Sequence, residues 1–486
     1  MQTNVPITSA AAQQGVAQGI PGAAPTPPAA LLHPASYGAS AENSAVAVGR
    51  NDFAATQIAL AEPLPPPGVP TPLSLQAALE TALAQNPDLV ALRGGEPVSR
   101  AALGVARTYP INPWLQVQVL PFGQNIDGGA TALNHYVLLM HTLELAHQGR
   151  FREQAGMADL NRVRWSILQA ELLNVAQTQR LFFTALYQRG LRDLARATAD
   201  VNAELASTLE RQLDKGNASA AALAVAKLDR QSAERQARLA DANYETALLD
   251  LRRQLNLPPN TAFEPQGDLT TWQWLPANAE NLLAARSAGA PPARVPSRSE
   301  AVAQLASTRP DVMAARADVA MGSANVGLAN AQRRPNLQIG PYYQRDDFGT
   351  VFVGFRSQFD IPVANNGRPL VRQREAELSQ RRVVMGQAEQ RARLEAEAAI
   401  DRYERARQLI EPVADNGSDV PDELQRLEKL YAENEIEVQQ IVLARNSLLM
   451  ARRSRLDSLN EAAQAAAAVT AATGLPPTAL VVPRRP

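Results

Sequence analysis

FREQAGMADLNRVRWSILQAELLNVAQTQRLFFTALYQRGLRDLARATADVNAELASTLERQLDK, Phe151 to Lys215, contains no proline and only two glycines, Gly156 and Gly190. An unbroken α-helix over these residues spans about 95 Å at ~1.5 Å per residue, far more than a globular domain needs. Two apolar series run along it. Leu160, Val163, Ile167 and Ala170 recur at helical spacing. Leu168, Leu172, Val175, Phe182 and Leu186 form a second series turned by about 120° at ~100° per residue. A helix with two seams packs against two neighbours, as in a ring of helices or in a solid bundle.

Downstream, residues 218–255 read as a return helix, closing a hairpin over 150–256. The same plan recurs further on. Residues 370–410 read as helix, 412–421 as a break containing Asn416-Gly417-Ser418, and 422–433 and 437–473 as helix, giving a second hairpin over 369–473. Landmarks repeat in order at offsets of 218 to 223 residues. Asn86-Pro87-Asp88-Leu89, after a helix beginning near Leu75, matches Arg309-Pro310-Asp311-Val312, after a helix from Glu300. Gln148-Gly149-Arg150 matches Asn366-Gly367-Arg368, Gly216 matches Asn434, and Leu257-Pro258-Pro259 matches Leu475-Pro476-Pro477. The chain therefore reads as a duplication: leader 1–70, first repeat 71–265, linker 266–297, second repeat 298–477 and tail 478–486.

Each repeat places two strands between its short helix and its hairpin, at about 113–121 and 134–146 in the first and 335–345 and 349–361 in the second. Val351, Val353, Phe355, Phe359 and Ile361 alternate with Gly354, Arg356, Gln358 and Asp360, the period of a strand with one apolar and one wet face. Leu115, Val117 and Val119 alternate with Gln116 and Gln118 in the same way. These lengths suit either a small soluble sheet or tilted membrane strands of about 9 to 11 residues. Four strands cannot close a membrane barrel, which begins at about eight, so open edges call for further copies. Three copies give twelve strands.

Composition narrows the function. The 47 basic and 48 acidic side chains nearly cancel, which argues against nucleic acid as a partner. Cysteine is absent and only four histidines occur, leaving little for nucleophilic, acid-base or metal chemistry, and no cofactor or metal is expected. His135, His141 and His147, spaced by six, sit roughly 20 Å apart along a strand at ~3.3 Å per residue, too far to share a metal within one chain. Residues 1–70, rich in Ala, Pro, Gly and Gln, have the composition of a disordered leader, and no secretory signal is visible at the start.

Leu73 to Leu89 (LSLQAALETALAQNPDL), the two QGR and NGR turns, the closing LNLPP and TGLPP, and the hairpin-tip pairs resemble the TolC-like outer-membrane efflux protein family. The tip pairs are Leu213 to Gly216 with Leu223 to Ala226, and Leu430 to Asn434 with Ile441 to Ala444. His141 to Arg152 (HTLELAHQGRFR) resembles its cation-efflux branch. The resemblance implies a mainly α protein with a small β part, whose homotrimer forms a twelve-strand barrel in outer-membrane lipid, continued by an α-helical barrel across the periplasm. It implies a passive conduit for small molecules, drugs or metal ions rather than an enzyme. A periplasmic adaptor and an inner-membrane transporter would be its partners, in a tripartite efflux pump or a type I secretion system. The competing reading is a soluble periplasmic structural or adaptor-like coiled-coil protein. Gly216, Ala220, Asn434 and Val438 are the expected adaptor contacts at the tips. Family members carry acids just after the second tip, where this chain has Gln440 and Leu443; Tyr431, Glu433, Glu435, Glu437 and Gln440 are therefore the candidate lumen constriction.

Overall fold

The structure, a computed structural model, describes residues 70–120, 123, 129, 132–216, 219–278, 282, 297–414 and 438–484. Its first half runs β1 (Thr71–Leu73), α1 (Leu75–Gln85), α2 (Pro87–Arg93), α3 (Gly95–Arg107), β2 (Trp114–Leu120), β3 (Asn134–Leu143), α4 (Gln148–Asp214) and α5 (Ala220–Gln254). After β4 (Phe263–Pro265) and β5 (Trp272–Trp274), the second half gives α6 (Arg298–Ser307), α7 (Pro310–Gln332), β6 (Leu337–Arg345), β7 (Val351–Phe359), α8 (Arg368–Ala414), α9 (Val438–Thr473) and β8 (Val481–Pro483).

Local chemistry sets the boundaries. Ser74 caps α1 by accepting from the Ala77 amide, and Ser297 with Glu300 makes a capping box at α6. Pro87 and Pro310 each occupy the first turn of the next helix, where a missing N–H costs nothing. The matched residues Asn256 and Gly474, which follow α5 and α9, both take left-handed backbone, at φ 52° and 74°. Asparagine and glycine are the residues that enter that region most readily, so the LNLPP and TGLPP stops share one geometry.

Two expectations need correction. The short helix of each half does not lead directly into strands: α2 and α3 intervene in the first half, and the 23-residue α7 in the second. Gly94, Gly95 and Pro97 obscure the first of these in sequence, because such residues usually punctuate a helix. The break expected from Pro412 does not begin there, since α8 includes Pro412 and runs to Ala414, the last described residue before Val438. A proline removes one backbone bond and does not by itself end a helix at its own position.

The 67-residue α4 organises the rest. Near the strands it packs between α3 and α7, and further along between α5 and α9, while α8 packs on α7 and α9. The helices thus form rows, α3–α4–α7–α8 and α5–α4–α9–α8, and α5 and α8 share no packed interface comparable to these among the described residues. The strands follow the same order, β2–β3–β6–β7, every neighbour antiparallel. Leu160 and Ile167 of the first seam are buried, as are Phe182 and Leu186 of the second, but Leu168 remains 44% exposed.

The main core is a belt midway along the helices. Phe182, Phe183 and Leu186 of α4 meet Leu251 of α5, Ile400 and Tyr403 of α8, and the buried alanines Ala462, Ala463, Ala465 and Ala466 of α9. Alanine faces let helices approach closely, which accounts for the Ala-rich run. Linker and tail supply the clasp: β5 pairs antiparallel with β8, and Phe183 meets both Trp272 and Trp274. The Tyr403 hydroxyl lies 2.8 Å and 3.1 Å from the Leu275 and Leu480 carbonyls, tying α8 to that clasp, and burial raises its pKa.

Candidate channel wall and hairpin tip

Register assigns the two faces of the sheet. Gln116 pairs with Leu138, Leu138 with Tyr342 and Tyr342 with Gly354, so even-numbered residues share one face and odd-numbered residues the other in all four strands. The odd face carries Leu115, Val117, Val119, Val137, Leu139, Leu337, Ile339, Val351, Val353, Phe355 and Phe359. Val353 and Phe355 are 77% and 79% exposed. A continuous exposed apolar band of this kind marks an interaction surface rather than a free water-facing one.

Polar groups on that face lie mainly toward its ends. His135 pairs with Arg345 beside the β6–β7 turn and sits 5.3 Å from the Tyr343 ring, while His141 sits 5.3 Å from Tyr109 at the helical end. No cluster of His, Cys, Asp and Glu able to hold a metal occurs among the described residues. No described helix is long and apolar enough to cross a membrane.

The even face differs in kind. Gln116, Gln118, Gln338, Gln344 and Gln358 lie on it with Tyr136, Tyr342 and Arg356, beside the buried Leu138 and Met140 and the exposed Leu120 and Phe352. Two glycines shape it. A side chain at Gly340 would collide with the Leu139 carbonyl, and one at Gly354 would meet the Tyr342 ring at 2.9 Å. Tyr342 therefore lies over Gly354, an aromatic covering a glycine across the strand pair.

At the strand-to-helix turn the aligned glycines do not play matching roles. Gly367 has φ 70°, but in the first half the left-handed residue is His147, at φ 58°, and Gly149 lies inside α4. Gln148 secures that turn, accepting from the Ala146 amide at 3.1 Å and donating to Asn336 at 2.9 Å. Arg152 joins Glu144 at 2.6 Å next to it, and this pairing raises the arginine's pKa.

The first tip is built from Leu209 and Ala206 of α4 against Leu223 and Ala226 of α5. Lys227 pairs with Glu210 at 2.8 Å across the two arms and holds that carboxyl below its usual range. Gly216 turns the chain at φ 75°, with nothing among the described residues within 4 Å of where a side chain would begin. Ala220 is exposed in the first turn of α5, after the Ser219 cap. Toward the second tip, Val438 and Gln440 are among the first described residues of α9 and Leu443 is 71% exposed. Asn434, Tyr431, Glu433, Glu435 and Glu437 fall outside the described residues. Alternation put Arg356 on a wet face; which residues of other strands share that face needed the register.

The fold is similar to those of solved outer-membrane channels, and the expected TolC-like resemblance holds at the level of fold. The transmembrane channel CusC is 17% identical at a TM-score of 0.63, the match covering 83% of this chain and 92% of that one. The Campylobacter jejuni CmeC outer membrane channel is 15% identical at 0.63, covering 82% and 85%. The open state of the Neisseria gonorrhoeae MtrE outer membrane channel is 17% identical at 0.61, covering 82% and 88%. No family model and no curated protein matches the chain.

Proposed function

We propose that this chain is the outer-membrane channel component of a tripartite efflux pump or type I secretion system, a passive conduit and not a catalyst. The observation that carries this reading is that the protomer is open on both sides in one consistent order. β2 and β7 are the sheet edges, and α3 with α5 on one side and α8 on the other are the row edges. The two edges differ, so copies join head to tail, and a head-to-tail contact closes into a ring or runs on as a filament. Unpaired strand edges also cannot stay open inside lipid. A homotrimer satisfies both conditions, with twelve strands presenting the odd face to outer-membrane lipid and the helices extending into the periplasm. The tips then face a periplasmic adaptor and an inner-membrane transporter, with Gly216, Ala220, Asn434 and Val438 as contacts.

Because the chain lacks cysteine, edge pairing is directly testable. Single cysteines at Leu115, Val117 or Val119 are combined in one chain with cysteines at Val351, Val353 or Phe355, and membranes are oxidised. The expected product is a cross-linked ladder that ends at the trimer for the combinations in register. A chain that stays a soluble monomer in every combination overturns the channel and favours the soluble adaptor-like coiled-coil protein.

A further inference from the structure

The even face of the sheet carries a charge asymmetry that a passive channel does not by itself require. Among the described residues of the four strands, Arg356 is the one charged side chain on that face, with no carboxylate beside it. Arg356 is exposed and stands opposite Gly340, which contributes no side chain across the strand pair. Its Nη1 donates to the Tyr136 hydroxyl at 3.5 Å. The Tyr136 ring is 6.1 Å from that of Tyr342, which in turn covers Gly354. A guanidinium therefore sits at the border of a two-ring aromatic surface.

The positive sign continues toward the helices. A cavity of about 810 Å³ at the strand–helix junction is lined by Trp114, Thr142 and Gln338 of the even face and by Arg152, Arg333 and Arg334. Of the carboxylates there, Glu144 is already bound to Arg152, leaving Asp360 against two arginines.

We propose, resting on the channel reading above, that the strand-walled section selects anionic aromatic molecules. Arg356 discriminates charge, and the Tyr136–Tyr342 pair is the surface against which a flat ring lies. In a ring of protomers each copy adds its guanidinium to one water-filled lumen with low-dielectric walls, where fields are focused and like charges are repelled. Arginine also pairs with planar oxyanions through two parallel donors, a geometry a carboxylate or sulfonate matches.

The test uses the purified full chain in planar bilayers, with pyrenetetrasulfonate added on the strand side as the probe. The wild-type current is expected to be blocked, Arg356→Gln, which removes the guanidinium from every protomer, to need at least about tenfold more probe, the loss of one charge-assisted contact being the lower bound, and Arg356→Lys to retain most of the block. Under a potassium chloride gradient, Arg356→Glu is expected to move the reversal potential toward cation preference. Full conductance with equal block in wild type and Arg356→Gln overturns the inference and leaves the channel standing. Absence of wild-type conductance overturns the channel reading and the inference with it.

Discussion

Side chains placed between the helices show how a duplicated plan diverges residue by residue. Asn86 accepts from the Asp88 and Leu89 amides and donates to the Gln254 carbonyl, stitching α2 to α5 with neutral groups. Its counterpart Arg309 is buried and bridges Asp311 at 2.5 Å and Glu395 at 2.6 Å, doing the same between α7 and α8 with charges. Tyr187 offers a cleaner experimental handle. Its hydroxyl donates to Asp457 of α9 at 2.6 Å, and burial, then that hydrogen bond, pushes its pKa up to about 12. A phenol that holds its proton more tightly when folded gives its full contribution below its unfolded pKa of about 10, and loses it as pH rises through the folded value. The melting temperature of the wild type is therefore expected to fall more steeply than that of Tyr187→Phe between about pH 10 and pH 12. Parallel slopes would mean the hydroxyl is not held between α4 and α9.

At the scale of elements the hairpin tip is where backbone geometry and proposed partner contact meet. Gly216→Val places a β-branched residue at φ 75°, a cost of roughly 1–2 kcal/mol confined to a turn where no described residue lies within 4 Å of the new side chain's first atom. The variant is expected to assemble normally, judged by cross-linking, yet to lose dye efflux in cells. Unchanged efflux would reduce Gly216 to a turn residue. The long helix was legible because 65 residues without proline admit few alternatives, and the strands because apolar and polar residues alternate. The joining of the two strand pairs through β3 and β6 was not legible, since a residue pattern fixes faces but not neighbours. Nor was the left-handed His147, because a glycine two residues later attracted that role. The acids near the second tip remain a proposal carried by sequence.

For the whole molecule, the decisive question is what covers the odd face. Val353 and Phe355 on an edge strand of a water-soluble protein would be a standing invitation to aggregate, which natural sheets avoid with charge or proline. Covered by hydrocarbon, the same residues are in their preferred solvent, and the neighbouring even face with Gln358 stays wet. The two environments predict opposite responses to one added charge. Phe355→Arg, near the middle of β7, is expected to cost about 2–4 kcal/mol of folding in a bilayer, as for a basic residue facing lipid at the midplane. Gln358→Arg, on the other face, is expected to fold and insert like the wild type. The measurement is denaturant refolding into lipid vesicles, followed by protease protection. Were the chain a soluble coiled-coil protein, Phe355→Arg would instead raise solubility and leave stability unchanged, and the two variants would be indistinguishable in the vesicle assay.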